Sequence, residues 1–348
     1  ETLSLTDSLS KLVPISLSET LSLIDAHPSS PTNIVAKDHE TDDVNGFTMI
    51  ENANAVKVFT IGASTYAIVT SPSDVGDDGV QVIDISDPDN IVAKDTAIDT
   101  AQAHIQLADA MGVDTFTIGA STYAIVTAFF DDGVQVIDIS DPTNISTTDS
   151  GHDGNEAFTE LDAPNDVDVF TIDGDKYAIV ASVADDGVQI IDVTVPNTIV
   201  GIDEMNDNGS RVLQDANAVD TFTLTGTYAG TYAIVTSESE DGVQIIDVSD
   251  PTDILALDSE TDNANGFTVL DGPSGVDTFT VASNSTATYA IVITSGPEHG
   301  IQMIDVSNPT AIVAIDAEVD GENGFDILNA PGDVDVFTIG SSTYAIVT

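Results

Sequence analysis

The stretch Tyr123-Ala-Ile-Val-Thr-Ala-Phe-Phe-Asp-Asp-Gly-Val-Gln-Val-Ile-Asp-Ile-Ser-Asp-Pro142 decides the fold. Its first run is short, apolar and rich in β-branched residues, and Asp131-Asp132-Gly133 then supplies turn chemistry. A second run of the same kind, Gly133 to Asp138, follows and ends at the turn signal Ser140-Asp141-Pro142. Two antiparallel strands joined by a tight connection are the reading of this segment.

The segment is one of many near-copies. Tyr-Ala-Ile-Val begins at Tyr66, Tyr123, Tyr177, Tyr232, Tyr289 and Tyr344, at spacings of 57, 54, 55, 57 and 55 residues. Each copy follows a run of the Val-Asp-Thr-Phe-Thr-Ile type, with Phe59, Phe116, Phe170, Phe222, Phe279 and Phe337 in matching places. Five of the six precede a Gly-(Val/Ile)-Gln-(Val/Ile/Met)-Ile-Asp run, and a fourth run closes the unit, as in Asn90 to Lys94 or Asp253 to Leu257. Four short strands per unit, with no helical period, predict an all-β chain built of propeller blades. A two-sheet sandwich has no use for six near-copies of one unit.

The strand count also predicts how the ring closes. The chain ends at Thr348 after two strands of the sixth unit, while Glu19-Thr-Leu-Ser-Leu-Ile-Asp25 matches a third strand and Thr32-Asn-Ile-Val-Ala-Lys-Asp38 a fourth. The expected fold is a six-bladed β-propeller of four-stranded blades, its closing blade built from both termini (19–38 and 334–348). Residues 19–348 form the propeller domain in this reading, and residues 1–18 are left over as an arm.

The run Tyr123-Ala-Ile-Val-Thr with Asp131 to Pro142 resembles the LVIVD-repeat β-propellers of bacteria and archaea, over residues 19–348. That family consists largely of surface and secreted proteins without an assigned reaction, so the resemblance implies location more than chemistry. The unit here is longer than many propeller repeats because of an acidic connection between blades. The string Ser16-Leu-Ser-Glu-Thr-Leu-Ser-Leu23 is similar to segments of surface proteins of ammonia-oxidising archaea, over less than a tenth of the chain.

Composition narrows the function. With 60 acidic and 6 basic residues the formal net charge is 6 − 60 = −54. Nucleic-acid binding is excluded, because phosphate contacts need clusters of Lys and Arg. A hydrophobic content of 41% argues against a disordered acidic tail. No apolar run approaches the roughly 18 residues of a membrane helix, so no membrane span is expected. There is no cysteine, so disulfides and thiolate metal sites do not arise. Few basic residues suit a saline exterior that screens self-repulsion. The sequons Asn144-Ile-Ser, Asn208-Gly-Ser and Asn284-Ser-Thr, and a first residue that is not Met, point the same way. The expected location is extracellular or the cell surface.

Repeat positions absorb most candidate chemistry. Six Phe and six Tyr sit in matching strand places, and Phe47, Phe158, Phe267 and Phe325 in matching places of the connection, as blade-packing residues would. Phe129-Phe130 stands apart, as an exposed apolar spot or a local repacking. His27, His39, His104, His152 and His299 occupy unrelated places, and neither a phosphate loop nor a nucleophile elbow occurs. The chain is therefore expected not to be an enzyme.

The acidic residues show order. An Asp pair four apart recurs after each fourth strand: Asp38/Asp42, Asp95/Asp99, Asp149/Asp153, Asp203/Asp207, Asp258/Asp262 and Asp316/Asp320. Three copies carry Asp-x-Glu-x-Asp-x-x-Asn-Gly-Phe: Asp38, Glu40, Asp42 and Asn45; Asp258, Glu260, Asp262 and Asn265; Asp316, Glu318, Asp320 and Asn323. Oxygen ligands at alternate positions before a glycine turn are what Ca²⁺ takes, although the spacing departs from an EF-hand. Solvated carboxylates in Asx turns are the alternative. Blade geometry sets these connections on one face with the Asp-Asp-Gly turns. A further series, Asp114, Asp168, Asp220, Asp277 and Asp335 with Lys57, begins the innermost strands and either rings a channel mouth or caps turns.

Glu1-Thr-Leu-Ser-Leu-Thr-Asp7 nearly copies Glu19 to Asp25. A spare strand of that pattern suits strand addition to another sheet, and head-to-tail addition builds an open polymer. The expected function is thus a structural subunit of a filament or surface layer, a head-to-tail homopolymer through residues 1–18. The alternative is a cation-dependent adhesin acting as a single ring, for which residues 1–18 are only a spacer.

Overall fold

The computed structural model describes residues 21–24, 36–72, 78–99, 106–155, 157–281, 284–297, 299–322, 325, 328, 330–340 and 342–348. They fall into two compact units, 21–24 with 36–205 and 206–348. The described structure is all-β apart from one 3-10 turn at Gly226–Tyr228.

The first unit opens with a two-stranded sheet, β1 (Leu21–Ile24) and β2 (Ala36–Glu40). Three four-stranded antiparallel sheets follow. They are β3 (Val56–Ile61), β4 (Ser64–Ser71), β5 (Gly79–Asp84) and β6 (Val92–Ile98); β7 (Ala110–Ile118), β8 (Ser121–Ala128), β9 (Gly133–Asp138) and β10 (Ser146–His152); then β11 (Pro164–Ile172), β12 (Asp175–Ser182), β13 (Gly187–Asp192) and β14 (Val200–Asn206). The second unit holds two more, β15 (Ala216–Leu224), β16 (Gly230–Ser237), β17 (Gly242–Asp247) and β18 (Leu255–Thr261), then β19 (Pro273–Val281), β20 (Asn284–Thr294), β21 (Gly300–Asp305) and β22 (Val313–Val319). It ends in a two-stranded sheet of β23 (Val334–Ile339) and β24 (Ser342–Val347).

One register runs through all the sheets. Each first-strand Phe stands opposite the second-strand Tyr, as Phe59 does Tyr66 and Phe222 does Tyr232. All six such pairs bring their ring centroids within 5.6–5.8 Å, a cross-strand contact that fixes register as well as adding burial. The second-strand Tyr in turn faces the third-strand Asp, as in Tyr123 and Asp138 or Tyr289 and Asp305. The second and third strands are apolar on both faces, since neighbouring sheets pack on either side. One core cluster joins Phe116, Ile125 and Val136 of one sheet to Val167, Ala178 and Val180 of the next. Ile125 is fully buried, a contribution of about 1.5–3 kcal/mol from one side chain. Phe47, Phe158, Phe267 and Phe325 are buried as expected of connection residues that pack.

Two features of the third strand explain its fixed sequence. A Cβ on Gly79, Gly133 or Gly242 would lie 2.1, 2.4 or 2.6 Å from a carbonyl oxygen of the fourth strand, so only glycine fits. The third-strand glutamine is buried and knots the sheet to its connection. Gln244 Oε1 accepts from Val212 N at 3.2 Å, while its Nε2 donates to the carbonyls of Ile245 and Asp258, both at 3.0 Å. Gln189 does the same with Thr159, Ile190 and Asp203.

Two sequence expectations need correction. Fourth strands begin later than expected and run further, from Val92 to Ile98 rather than from Asn90 to Lys94. Asp38 and Glu40, Asp258 and Glu260, and Asp316 and Glu318 therefore lie within β2, β18 and β22 and not in the connections. The expected closing blade is two separate two-stranded sheets. Within each pair the register is nevertheless that of a blade. Phe337 faces Tyr344 as first and second strands do, and Ile24 faces Ala36 as Ile83 faces Ala93 in a third and fourth. In sequence Thr20 and Ser22 stand where the other third strands have Gly and Gln. The arm at 1–18 lies outside the described residues.

Candidate functional site

The ordered carboxylates are held by the backbone of the next repeat. Asp38 Oδ2 accepts from Ile91 N, Asp95 Oδ2 from Ile145 N, Asp149 Oδ2 from Ile199 N and Asp258 Oδ2 from Ile312 N, at 2.8–2.9 Å. The first Asp of each of these pairs thus staples a fourth strand to the start of the next one. A carboxylate tolerates this position because a charged acceptor makes a strong bond to an otherwise unpaired N–H. Asp316 has its own neighbour, Ala317 N, at 3.1 Å instead.

The second Asp closes the connection it opens. Asp42 Oδ1 accepts from Ile50 N at 3.2 Å, Asp262 Oδ1 from Leu270 N at 3.2 Å and Asp320 Oδ1 from Leu328 N at 2.7 Å. Its backbone N–H donates to the turn between the second and third strands, as Asp262 does to Asp241 O at 2.8 Å. The amide of Asn45 holds Glu40 at 3.0 Å, and that of Asn265 holds both oxygens of Glu260 at 2.8 and 3.0 Å. Glu318 is buried at the same place of the last copy; Asn323 lies outside the described residues. The eleven described candidate ligands therefore fall into three strand-and-loop corners. Among the described residues no three Asp, Glu or His side chains gather closely enough to hold a metal ion.

Carboxylates of successive connections do approach each other. In the first unit Asp162 lies beside Asp132 and near Asp153, and its own N–H donates to Asp185 Oδ2 at 2.7 Å. Desolvation, then the facing Asp132 and Asp153, push Asp162 above the usual carboxylate range; burial first, then Asp153, Asp162 and Asp132, does the same to Asp185. Asp271 in the second unit is raised by desolvation and then by Asp241 and Asp262.

Three members of the first-strand Asp series bond to the backbone of a neighbouring sheet. Asp114 Oδ2 accepts from Val169 N and Asp220 Oδ2 from Thr278 N, both at 2.8 Å, and Asp277 Oδ2 accepts from Val336 N at 2.5 Å. Each ties one first strand to the next. Lys57 Nζ sits 2.7 Å from Asp114 Oδ1, an ion pair on a carboxylate that is 4% exposed. The buried glutamines, which sequence reasoning passed over, have their signal in plain view: an amide flanked by apolar residues in the third strand of all five four-stranded sheets. Phe129 and Phe130 form an edge-to-face pair, with Phe130 66% exposed. His152 Nδ1 contacts Asp153 O and His299 Nδ1 accepts from Ala330 N, so both rings serve the backbone.

Comparisons place the fold. No family model matches the chain. No curated protein matches it. A protein from Lactobacillus plantarum is similar in structure over 86% of this chain and 82% of its own, at 11% identity and a TM-score of 0.57. The periplasmic gluconolactonase of Pseudomonas aeruginosa is similar over 79% of this chain and 70% of its own, at 10% identity and a TM-score of 0.55. Repeated four-stranded antiparallel sheets and these neighbours make the fold propeller-like. The expectation that the chain is not an enzyme is corrected by the second likeness. It rested on a regular repeat poor in catalytic groups, and an enzyme is built on the same fold, so the fold gives no ground for excluding catalysis.

Proposed function

We propose that the chain is an extracellular structural protein, the repeating subunit of a filament or surface layer, assembled head to tail through residues 1–18. The observation that carries this reading is a duplication. Glu1 to Asp7 matches Glu19 to Asp25 at every position except Thr6 for Ile24, and the second copy holds strand β1. Six blades belong to the same reading, which is supported by register alone: β23–β24 is paired as a first and second strand are, and β1–β2 as a third and fourth are. A chain whose own blade uses one copy has the other free to add to a neighbour's sheet.

Deleting residues 1–18 tests it. Electron microscopy of the intact protein at high concentration is expected to show fibres or lattices, and the shortened protein is expected to stay dispersed with an unchanged β circular-dichroism spectrum. Assemblies that survive the deletion overturn the reading.

A second reading, a Ca²⁺-dependent adhesive module, is favoured by one observation: Asn45 and Asn265 hold Glu40 and Glu260 in fixed positions beside the Asp pairs. It requires melting in millimolar Ca²⁺ to exceed melting in chelator at equal ionic strength.

A further inference from the structure

The fold treats the three Asn-x-Ser/Thr patterns, Asn144-Ile-Ser, Asn208-Gly-Ser and Asn284-Ser-Thr, differently. Such a pattern accepts an N-linked glycan where a transferring enzyme can take its backbone and reach the amide nitrogen, which means exposed chain outside a sheet. Asn144 is exposed, but the rest of its pattern is built into the first unit. Ile145 N donates to Asp95 Oδ2 at 2.9 Å, and Ser146 opens β10 in register with Asp138. Asn284 to Thr286 lie within β20, where Asn284 pairs with Val281.

Asn208 has a different setting. Asn208, Gly209 and Ser210 are all exposed and belong to no strand. Arg211 Nη1 donates to Asn206 O at 2.7 Å and closes the stretch at its base, so the residues between form a small loop of the second unit. Gly209, at a φ of 77°, makes the turn. Bonds within the loop are local. Gly209 N donates to both oxygens of Asp207 at 3.0 and 3.1 Å, and Ser210 N donates to Asn208 Oδ1 at 3.1 Å. An amide whose oxygen is held by the chain turns its nitrogen the other way, and at this exposed residue that way is solvent.

Resting on the extracellular part of the proposed function, we propose that Asn208 is a glycosylation site, at which the folded chain carries an N-linked oligosaccharide. The donor is an oligosaccharide joined to a polyprenyl phosphate lipid, and the catalyst is a membrane oligosaccharyltransferase. A bond forms between Asn208 Nδ2 and the anomeric carbon, and the bond from that carbon to the phosphate oxygen breaks. The lipid phosphate leaves with the electron pair, and Nδ2 gives up one proton. A bulky, hydrated group on this loop keeps the surface around it out of subunit contacts, so in an assembled layer the Asn208 loop faces solvent.

The few basic residues make the test direct. Cleavage after Lys94, Lys176 and Arg211 puts Asn144 on peptide 95–176, Asn208 on 177–211 and Asn284 beyond Arg211. Mass spectrometry of the full chain from its source cells is expected to find sugar-spaced masses on 177–211, lost in N208Q and S210A and kept in S210T. In a purified system, the folded chain is given the transferase and a lipid-linked oligosaccharide. Asn208 should be modified at least about tenfold faster than Asn144, whose pattern must first open out of β10. Equal rates overturn the selection by exposure, as does a glycan on either other peptide with none on 177–211. A chain that added protease reaches on intact cells, yet is unmodified on 177–211, overturns the site and leaves the location standing. A chain found only inside the cell overturns both.

Discussion

The carboxylates of Asp132 and Asp162 stand within hydrogen-bonding reach of each other, and Asp241 and Asp271 repeat the relationship in the second unit. Asp162 and Asp271 are pushed above the usual carboxylate range, by desolvation first and then by the facing carboxylate. The repeat sets this up on its own: a turn Asp and a connection Asp thirty residues on are brought together wherever both are present.

Acidification is expected to act with two signs. Asp162 and Asp271 have folded-state pKa values raised by desolvation and facing carboxylates. Their contribution is fully present below the ordinary carboxylate range and is lost as pH rises through the raised value. D162N and D271N should therefore raise Tm at pH 7, by about 1–2 °C each, and make no difference at pH 3. Asp84 behaves oppositely: burial raises it, but the bonds from Ser86 and Lys94 together prevail and lower it. Its contribution is present above the ordinary range and is lost as pH falls through the lowered value, so D84N should cost stability at pH 7 and less in acid. Melting curves from pH 3 to 8 check both.

Buried amides should be the costliest polar residues to lose. Gln244 is 1% exposed and bonds Val212 N, Ile245 O and Asp258 O. Q244L fills the space and strands buried backbone groups, at about 1–3 kcal/mol for each one left unpaired. Denaturant unfolding should show a loss of about 2–4 kcal/mol. A surface change such as T252A, whose hydroxyl bonds Asp250 in an exposed turn, should stay within about 0.5 kcal/mol.

What could be read from sequence follows from what repeats. Six copies of Tyr-Ala-Ile-Val made the sheets and their register legible, because the pleat forces alternate residues of a buried strand to opposite faces. Strand ends were less legible. Asp95 and Asp258 read as loop residues by propensity, yet lie inside fourth strands because the N–H groups of Ile145 and Ile312 await them. Partners some fifty residues away leave no local trace. The inner series misled for the same reason: the nearest acceptors of charge in sequence said nothing of Val169 N beside Asp114.

Removing a staple should loosen one place more than the whole. Asp258 Oδ2 holds Ile312 N at 2.8 Å, and Ile312 is buried at the start of β22. D258A leaves that amide without its acceptor, at about 1–3 kcal/mol, while D258N keeps an oxygen acceptor and should cost about half as much. Native-state hydrogen exchange reads the effect locally. The Ile312 amide should exchange at least about tenfold faster in D258A, with amides of β16 in the same unit little changed. D38A should do the same to Ile91, whose N–H donates to Asp38 at 2.9 Å. Equal acceleration at every amide would mean that the carboxylate contributes to global stability alone, and protection of Ile312 unchanged in D258A would remove the staple altogether.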